Sequence, residues 1–317
     1  MKLIKQLLPI LVITLFLYSC NDDDDNTVEI KTNTIVDVAI NNNMTSLVAA
    51  VTRAELGSVL SGPGPFTVLA PTNEAFAEFL SANNFNSVND VPKDLLKEIL
   101  LNHVIDGSLK STDLTTGYAN TKATSASSST PMSIYINTEG GVKFNGISSV
   151  TTANIAADNG TVHVVNKVIG LPTVVTFATA DPNFSILVQA LTRETTYTFV
   201  ATLSTSGTTP APFTVFAPTN SAFVDLLAEL KLNTLGDVPT ATLTSTLNTH
   251  VVANANVQSS GLSNGMTVNT LGGDLTVDLT GTNPTLTDSK NRVSTIIATD
   301  VQANNGVIHA INKVVLE

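Results

Sequence analysis

The chain repeats itself. Pro65-Phe66-Thr67-Val68-Leu69-Ala70-Pro71-Thr72-Asn73 returns as Pro212-Phe213-Thr214-Val215-Phe216-Ala217-Pro218-Thr219-Asn220, 147 residues later. His103-Val104 returns as His250-Val251 at the same offset, and Asn159-Gly160-Thr161-Val162-His163 returns as Asn305-Gly306-Val307-Ile308-His309 at an offset of 146. Solenoid repeats run at about 20–50 residues, so a period this long is a duplicated domain. The 317 residues hold two such units, in keeping with about 150 residues per domain. Upstream, Leu47 and Thr52-Arg53 match Leu187 and Thr192-Arg193 at an offset of 140. The jump between the offsets places an insertion in the second unit around residues 204–210.

Each unit mixes periodicities. Asp181-Pro182 reads as a helix cap with proline in the first turn, after which Phe184, Leu187, Val188 and Leu191 share one face. Leu47, Val48, Val51 and Ala54 do the same in the first unit. Phe66 to Leu69 reads as a strand that stops at Pro71, and Asn73 is expected to cap a short helix burying Phe76, Phe79 and Leu80. Residues 93–104 put Leu95, Leu96, Ile99 and Leu100 on a helical face. Strands are expected at Met132–Ile136, Val142–Phe144, Thr151–Ala156 and Val162–Ile169, with the Ser/Thr run 124–130 as a loop. The expected class is α+β, twice over, with a sheet sandwich flanked by helices.

The amino terminus reads as a targeting segment. Lys2 and Lys5 precede an apolar run from Leu7 to Tyr18, too short for a comfortable bilayer span of about 20 residues and suited to a secretory signal. Leu17-Tyr18-Ser19-Cys20 resembles the lipobox of bacterial lipoproteins, which implies cleavage after Ser19 and acylation of Cys20. This is the only cysteine of the chain. Asp22, Asp23, Asp24 and Asp25 follow at once, a solvated like-charge run. Such a cluster resembles the export tag of outer-membrane lipoproteins that face the cell surface of Gram-negative bacteria. The expected layout is a signal peptide at 1–19, an acylated acidic tether at 20–32, and units at 33–171 and 172–317. Multiple acyl chains would hold the protein to the membrane.

Composition narrows the chemistry. A net charge of −11 and no basic cluster argue against nucleic acid as a partner. One cysteine argues against a disulfide framework or a cysteine zinc site. All four histidines lie at paired repeat positions. His163 and His309 fall in expected strands, where a buried imidazole bonded to backbone is the ordinary role. His103 and His250 fall at helix ends, where a cation would complement the dipole and can bond the last carbonyls. Gly261-Leu262-Ser263-Asn264-Gly265 matches a nucleophile-elbow pattern, but the strand expected after it makes it a turn. Asp274 and Asp278 lack a partner acid for glycosidase work. No metal and no cofactor is expected, and no enzymatic activity, because nothing arranges a nucleophile, base and orienter.

The blocks Thr67–Phe76 and Asn159–Val168, with their second copies Thr214–Phe223 and Asn305–Val314, resemble the two signature segments of fasciclin-like domains. The resemblance spans roughly residues 33–317. It implies a wedge-shaped β-sandwich with flanking helices in each unit, and a surface-anchored, non-enzymatic role in adhesion to an extracellular protein or glycan, a polymer or another cell. An envelope accessory facing the periplasm, working with an uptake or polymer-handling system, is the alternative. Within the signature regions, Asn73, His103, Asn220 and His250 are the candidates for ligand contact, capping being the competing role for the asparagines. The family often carries a Tyr-His pair linked in animal members to integrin binding. Here His103 follows Asn102 and His250 follows Thr249, so that recognition is not implied.

Overall fold

The repeated blocks become the central strands of both units. In the computed structural model, which describes residues 32–317, Phe66–Pro71 (β1) lies parallel to Gly160–Val165 (β7), with Val68 opposite Val162 and Leu69 opposite His163. In the second unit Phe213–Pro218 (β8) lies parallel to Gly306–Ile311 (β14) in the same register. These strands are buried on both faces, which is why they read as continuous apolar runs without alternation. The expected signal peptide, with Cys20 and Asp22 to Asp25, lies outside the described residues.

Around β1 and β7 the first unit adds Val104–Asp106 (β2), Gly117–Thr124 (β3), Pro131–Asn137 (β4), Lys143–Phe144 (β5) and Ser148–Ala157 (β6). The seven strands close in chain order into a barrel. The second unit repeats the circuit with Val251–Ala253 (β9), Thr267–Asn269 (β10), Asp274–Asp278 (β11), Thr285–Thr287 (β12) and Val293–Ala303 (β13). Its ring stays open between β9 and β10, where Leu271 N–H donates to the Val251 carbonyl (2.8 Å). The strand Gly117–Thr124 has no counterpart among the strands expected from sequence.

Helices cover one side of each sheet. The first unit has Ile35–Asn41 (α1), Thr45–Arg53 (α2), Gly57–Leu60 (α3), Asn73–Ala82 (α4) and Lys93–Leu101 (α5). The second has Val174–Ala180 (α6), Ser185–Leu191 (α7), Phe199–Leu203 (α8), Asn220–Leu230 (α9) and Thr240–Thr249 (α10). Alternation along β1 divides two cores. Val68 and Ala70 pack with Leu47, Phe76, Leu96 and Leu100 under the helices, while Leu69 points into the barrel with Ile134, Ile136 and Phe144. Val215 and Phe216 divide the second unit in the same way. The α+β expectation holds, the sandwich taking the form of one strongly curved sheet.

Local expectations hold with three corrections. Asp181 caps the turn beginning at Pro182 by accepting from Asn183 N–H. Leu95, however, is 37% exposed while Leu96, Ile99 and Leu100 are buried, since a shift of one residue turns a side chain about 100° around a helix. The strand expected to reach Ile169 ends at Val165. The extra residues of the second unit are also split. Asn159 ties to the Leu60 carbonyl and Asn305 to the Leu203 carbonyl, which places three extra residues before α8 and four between α8 and β8.

Candidate binding surface

The paired polar residues of the signature segments hold the backbone together. The residue capping α4 is Thr72, whose hydroxyl accepts from Ala75 N–H (3.1 Å); Asn73 sits one position further on. The Asn73 side chain serves a different helix, accepting from Ser46 N–H (2.9 Å) at the start of α2 and donating to the Asn43 carbonyl (2.9 Å). Asn220 does the same for α7, accepting from Ile186 N–H (2.9 Å) and donating to the Pro182 carbonyl (2.9 Å). Each satisfies one of the orphan N–H groups that a helix start leaves.

His103 and His250 are each 2% exposed and span two segments. His103 Nδ1–H donates to the Ile99 carbonyl (2.7 Å), and Nε2 accepts from Ile169 N–H (2.9 Å). His250 repeats this with Thr246 (2.7 Å) and Val315 (3.2 Å). Burial pushes both imidazoles down to about 4, so they are neutral: the expected bond to a last-turn carbonyl forms, but from an uncharged ring instead of a dipole-compensating cation. His163 and His309 are buried too, and use the opposite tautomer. Nε2–H of His163 donates to the Leu109 carbonyl (3.0 Å) and Nδ1 accepts from Asn154 N–H (3.3 Å). His309 makes the matching bonds to Val257 (2.9 Å) and Asp300 (3.4 Å). Asn154 and Asp300 both have positive φ within irregular stretches of β6 and β13. Each histidine thereby supplies the acceptor that a bulged strand loses. Burial lowers both of these imidazoles as well.

The turn reading of residues 261–265 holds, with Met266 N–H donating to the Ser263 carbonyl and β10 following. Asp274 and Asp278 are exposed and bond Asn269 and Thr280 respectively. Among the described residues no group of three or more His, Cys, Asp or Glu side chains gathers as a metal site would require. No helix there is long and apolar enough to cross a membrane.

What sequence reasoning missed is the junction between the units. Tyr118 and Tyr135 pair across β3 and β4 (centroids 5.0 Å), and Tyr118 meets Phe177 of α6 edge-on (5.5 Å). The Tyr118 hydroxyl donates to Asp181 (3.1 Å), and burial with this carboxylate holds both phenols well above their ordinary range. Beside them Gln302, 2% exposed, is a polar hub. Its side-chain amide donates to Ser125 Oγ (3.0 Å) and Asn256 Oδ1 (3.0 Å), while its N–H donates to Ser133 Oγ (3.0 Å). Ser125 in turn donates to the Ala303 carbonyl (2.9 Å). The Ser/Thr run is therefore a loop from Ser125 to Thr130, Thr124 closing β3, and it is built into the junction. The only available signal was Tyr118 and Tyr135 in a chain with 5% aromatics.

Residues 42–172 and 182–317 each match the family model of the fasciclin domain. The chain belongs to the fasciclin domain family. Protein sll1483 of Synechocystis sp. is 37% identical over 137 residues, covering 43% of this chain and 72% of that protein. Transforming growth factor-beta-induced protein ig-h3 of Sus scrofa is 30% identical over 270 residues, or 81% of this chain and 35% of the relative. Periostin of Homo sapiens is 27% identical over 267 residues, or 83% and 30%. This fasciclin chain thus spans about a third of the length of the two animal relatives. Among solved structures it is similar to the fasciclin-domain (FAS1) pair of the insect cell adhesion molecule fasciclin I, with a TM-score of 0.50 and 20% identity over 89% of this chain and 97% of that one. That likeness speaks to the fold.

Proposed function

We propose that this fasciclin protein is a non-enzymatic adhesion protein, anchored through acylated Cys20 in the outer membrane and displayed by its acidic tag (Asp22 to Asp25) on the surface of a Gram-negative bacterium. Its ligand is an extracellular protein or glycan on matrix, polymer or another cell. The observation that carries the reading is the junction itself. Two fasciclin units are packed together through buried side chains, with all four histidines buried and bonded to backbone, which leaves contact to the exposed loops and faces of the pair. The insect protein whose domain pair shares this fold is described as a cell adhesion molecule, which supports the same class.

Protease shaving of intact cells tests the display. The segment 206–209 is exposed and should be cut first, whereas the turn at Ser125, tied to the Ala303 carbonyl by that buried side chain, should be cut more slowly. Cleavage at 206–209 with a periplasmic marker untouched is the expected result. Protection until the outer membrane is opened would sink surface display and favour an envelope accessory facing the periplasm. Cys20→Ala should move the protein from the membrane to the soluble fraction, and cells producing it should lose attachment.

A further inference from the structure

The insertion that breaks the duplication also builds a cleft. Residues 206–212 of the second unit stand opposite the turn at Ala126 and Ser127 of the first, with Asn304 and Asn305 between them, around a space of about 310 Å³. The first unit lacks this loop, since its connection from Leu60 to Phe66 is shorter. Both walls are held in place. Asn305 donates to the carbonyls of Leu203 (2.8 Å) and Thr205 (2.7 Å), and Asn304 donates to Ser206 Oγ (2.9 Å). The facing turn is tied down by Ser125 to Ala303 and by Ser127 Oγ donating to Asn256 Oδ1 (3.2 Å). A cleft formed in advance spares a ligand the cost of ordering it.

Its chemistry is selective. No charged side chain lines it, so neither a phosphate nor a carboxylate finds a counter-charge. Among the described residues no carboxylate lines it to hold a cation either. Peptide recognition reuses an open strand edge or an apolar groove, and the lining supplies neither. What it supplies is a rim of Ser127, Ser206, Thr208, Thr209 and Asn304, and an apolar strip from Ala211 and Pro212. Among the described residues the Thr208 and Thr209 hydroxyls have no bonding partner. A pyranose presents the matching pattern, with hydroxyls that both donate and accept, as do Ser, Thr and Asn, set around an apolar C–H face. The volume lies at the lower end of ligand pockets, which start at about 300 Å³.

We infer that this junction cleft is a subsite for an uncharged hexose unit of a glycan. The inference rests on the adhesion reading and names its ligand class. It also explains why a binding site would sit at the junction, since neither unit contains it alone.

The test is saturation-transfer NMR on the full chain in a zwitterionic detergent free of sugar headgroups. Maltotriose, mannotriose and N-acetylchitotriose serve as uncharged probes, and trigalacturonate as the charged control. Transfer to at least one uncharged probe is expected, with at least a fivefold loss in the Thr208→Val/Thr209→Val double variant and no change in Thr267→Val on a distant sheet face. Absence of transfer to every uncharged probe, equal transfer in the double variant, or preference for the uronate would each overturn the inference. The same variants are scored for cell attachment. Attachment that persists while no glycan binds discards the cleft and leaves adhesion standing, whereas wild-type cells that attach no better than deletion cells discard the adhesion reading itself.

Discussion

The two units share a strand circuit and use one face of it in opposite ways. In the first unit the face of β3 and β4 carries Tyr118 and Tyr135, packed against α6 of the second. The registers place Thr267 and Thr276 at the corresponding positions of β10 and β11, and both are exposed. The receiving surface differs in the same sense. Phe177, Asp181 and Gln302 of the second unit correspond to Val38, Asn42 and Ala156 of the first. Each unit therefore keeps only half of this junction. Duplication preserved the cores and the asparagines and histidines that tie the backbone, while the divergence that matters lies on one sheet face. Buried positions answer to many neighbours at once, so a copied unit is freest to change where it meets solvent or its twin.

The shared part is broken hardest at two glycines. A Cβ at Gly160 would meet the Phe66 carbonyl oxygen at 2.0 Å, and one at Gly306 the Phe213 oxygen at 2.3 Å. Both obstacles are backbone of the central parallel pair, which would have to spread. Gly160→Ala and Gly306→Ala should each cost roughly 4 kcal/mol, among the largest single-site effects, read as a drop in the denaturant midpoint. Gly207→Ala in the inserted loop has nothing within 4 Å and should cost about 1 kcal/mol from its positive φ alone. A large loss at only one of the two paired glycines would show that the cores are not equivalent.

The bridging histidines give the next effect, and it should appear in both units. Folding lowers His103 and His250 from 6.5 to about 4 through burial. Between those values the unfolded chain binds more protons, so stability is full above about pH 6.5 and falls as the pH drops toward 4. The shift corresponds to roughly 3 kcal/mol for each imidazole by pH 4. His103→Gln, whose amide offers one donor and one acceptor, should remove its share of the slope between pH 6.5 and 5. Urea midpoints across that range decide it; a slope identical to wild type would show that the bridge tolerates a proton.

Much of this fold was legible from residues alone, and the reason it was is physical. The duplication, the central strands and the buried histidines announce themselves through local order, because a strand buried on both faces must be apolar throughout. The misses share a different cause. Gly117–Thr124 carries no apolar run to mark it as a strand, and Tyr118 finds its partners, Phe177 and Asp181, in the other unit. Ser125 reads as solvated because its acceptor, the Ala303 carbonyl, lies 178 residues away. Asn73 was expected to cap its own helix when its amide reaches α2, 27 residues earlier. His103 was expected to be a cation, since a helix end favours charge, yet burial outweighs the dipole.

The asymmetric face is the next thing to break. Tyr118 is half-buried, with an aromatic contact and a hydrogen bond to Asp181, so Tyr118→Ala should cost about 2–3 kcal/mol, below the 3–5 of a fully buried aromatic. More tellingly, the cooperative unfolding of the pair should separate into two transitions, since the tie between the units is what couples them. Thr267→Ala, at the matching exposed position, should stay within about 0.5 kcal/mol. Calorimetry that shows a single sharp transition in Tyr118→Ala would mean that the tyrosine face is not what joins the units.

Gln302 sharpens the comparison most finely, because its counterpart Ala156 is exposed. Gln302→Ala removes the partner of Ser125 and Asn256 and leaves their groups facing a small void. Each buried group left without a bond costs about 1–3 kcal/mol, and the freed hydroxyl and amide can re-pair with each other, so a net loss of about 2 kcal/mol is expected. The reciprocal change, Ala156→Gln, adds a solvated amide to a surface that touches no twin and should be neutral within about 0.5 kcal/mol. If the two exchanges proved equal in size, Gln302 would be an ordinary surface glutamine and the junction would rest on the tyrosines alone. If Gln302→Ala also loosened the facing turn, hydrogen exchange would rise at Ser127, because Gln302 bonds Ser125 and Asn256, the two side chains that Ser127 bonds.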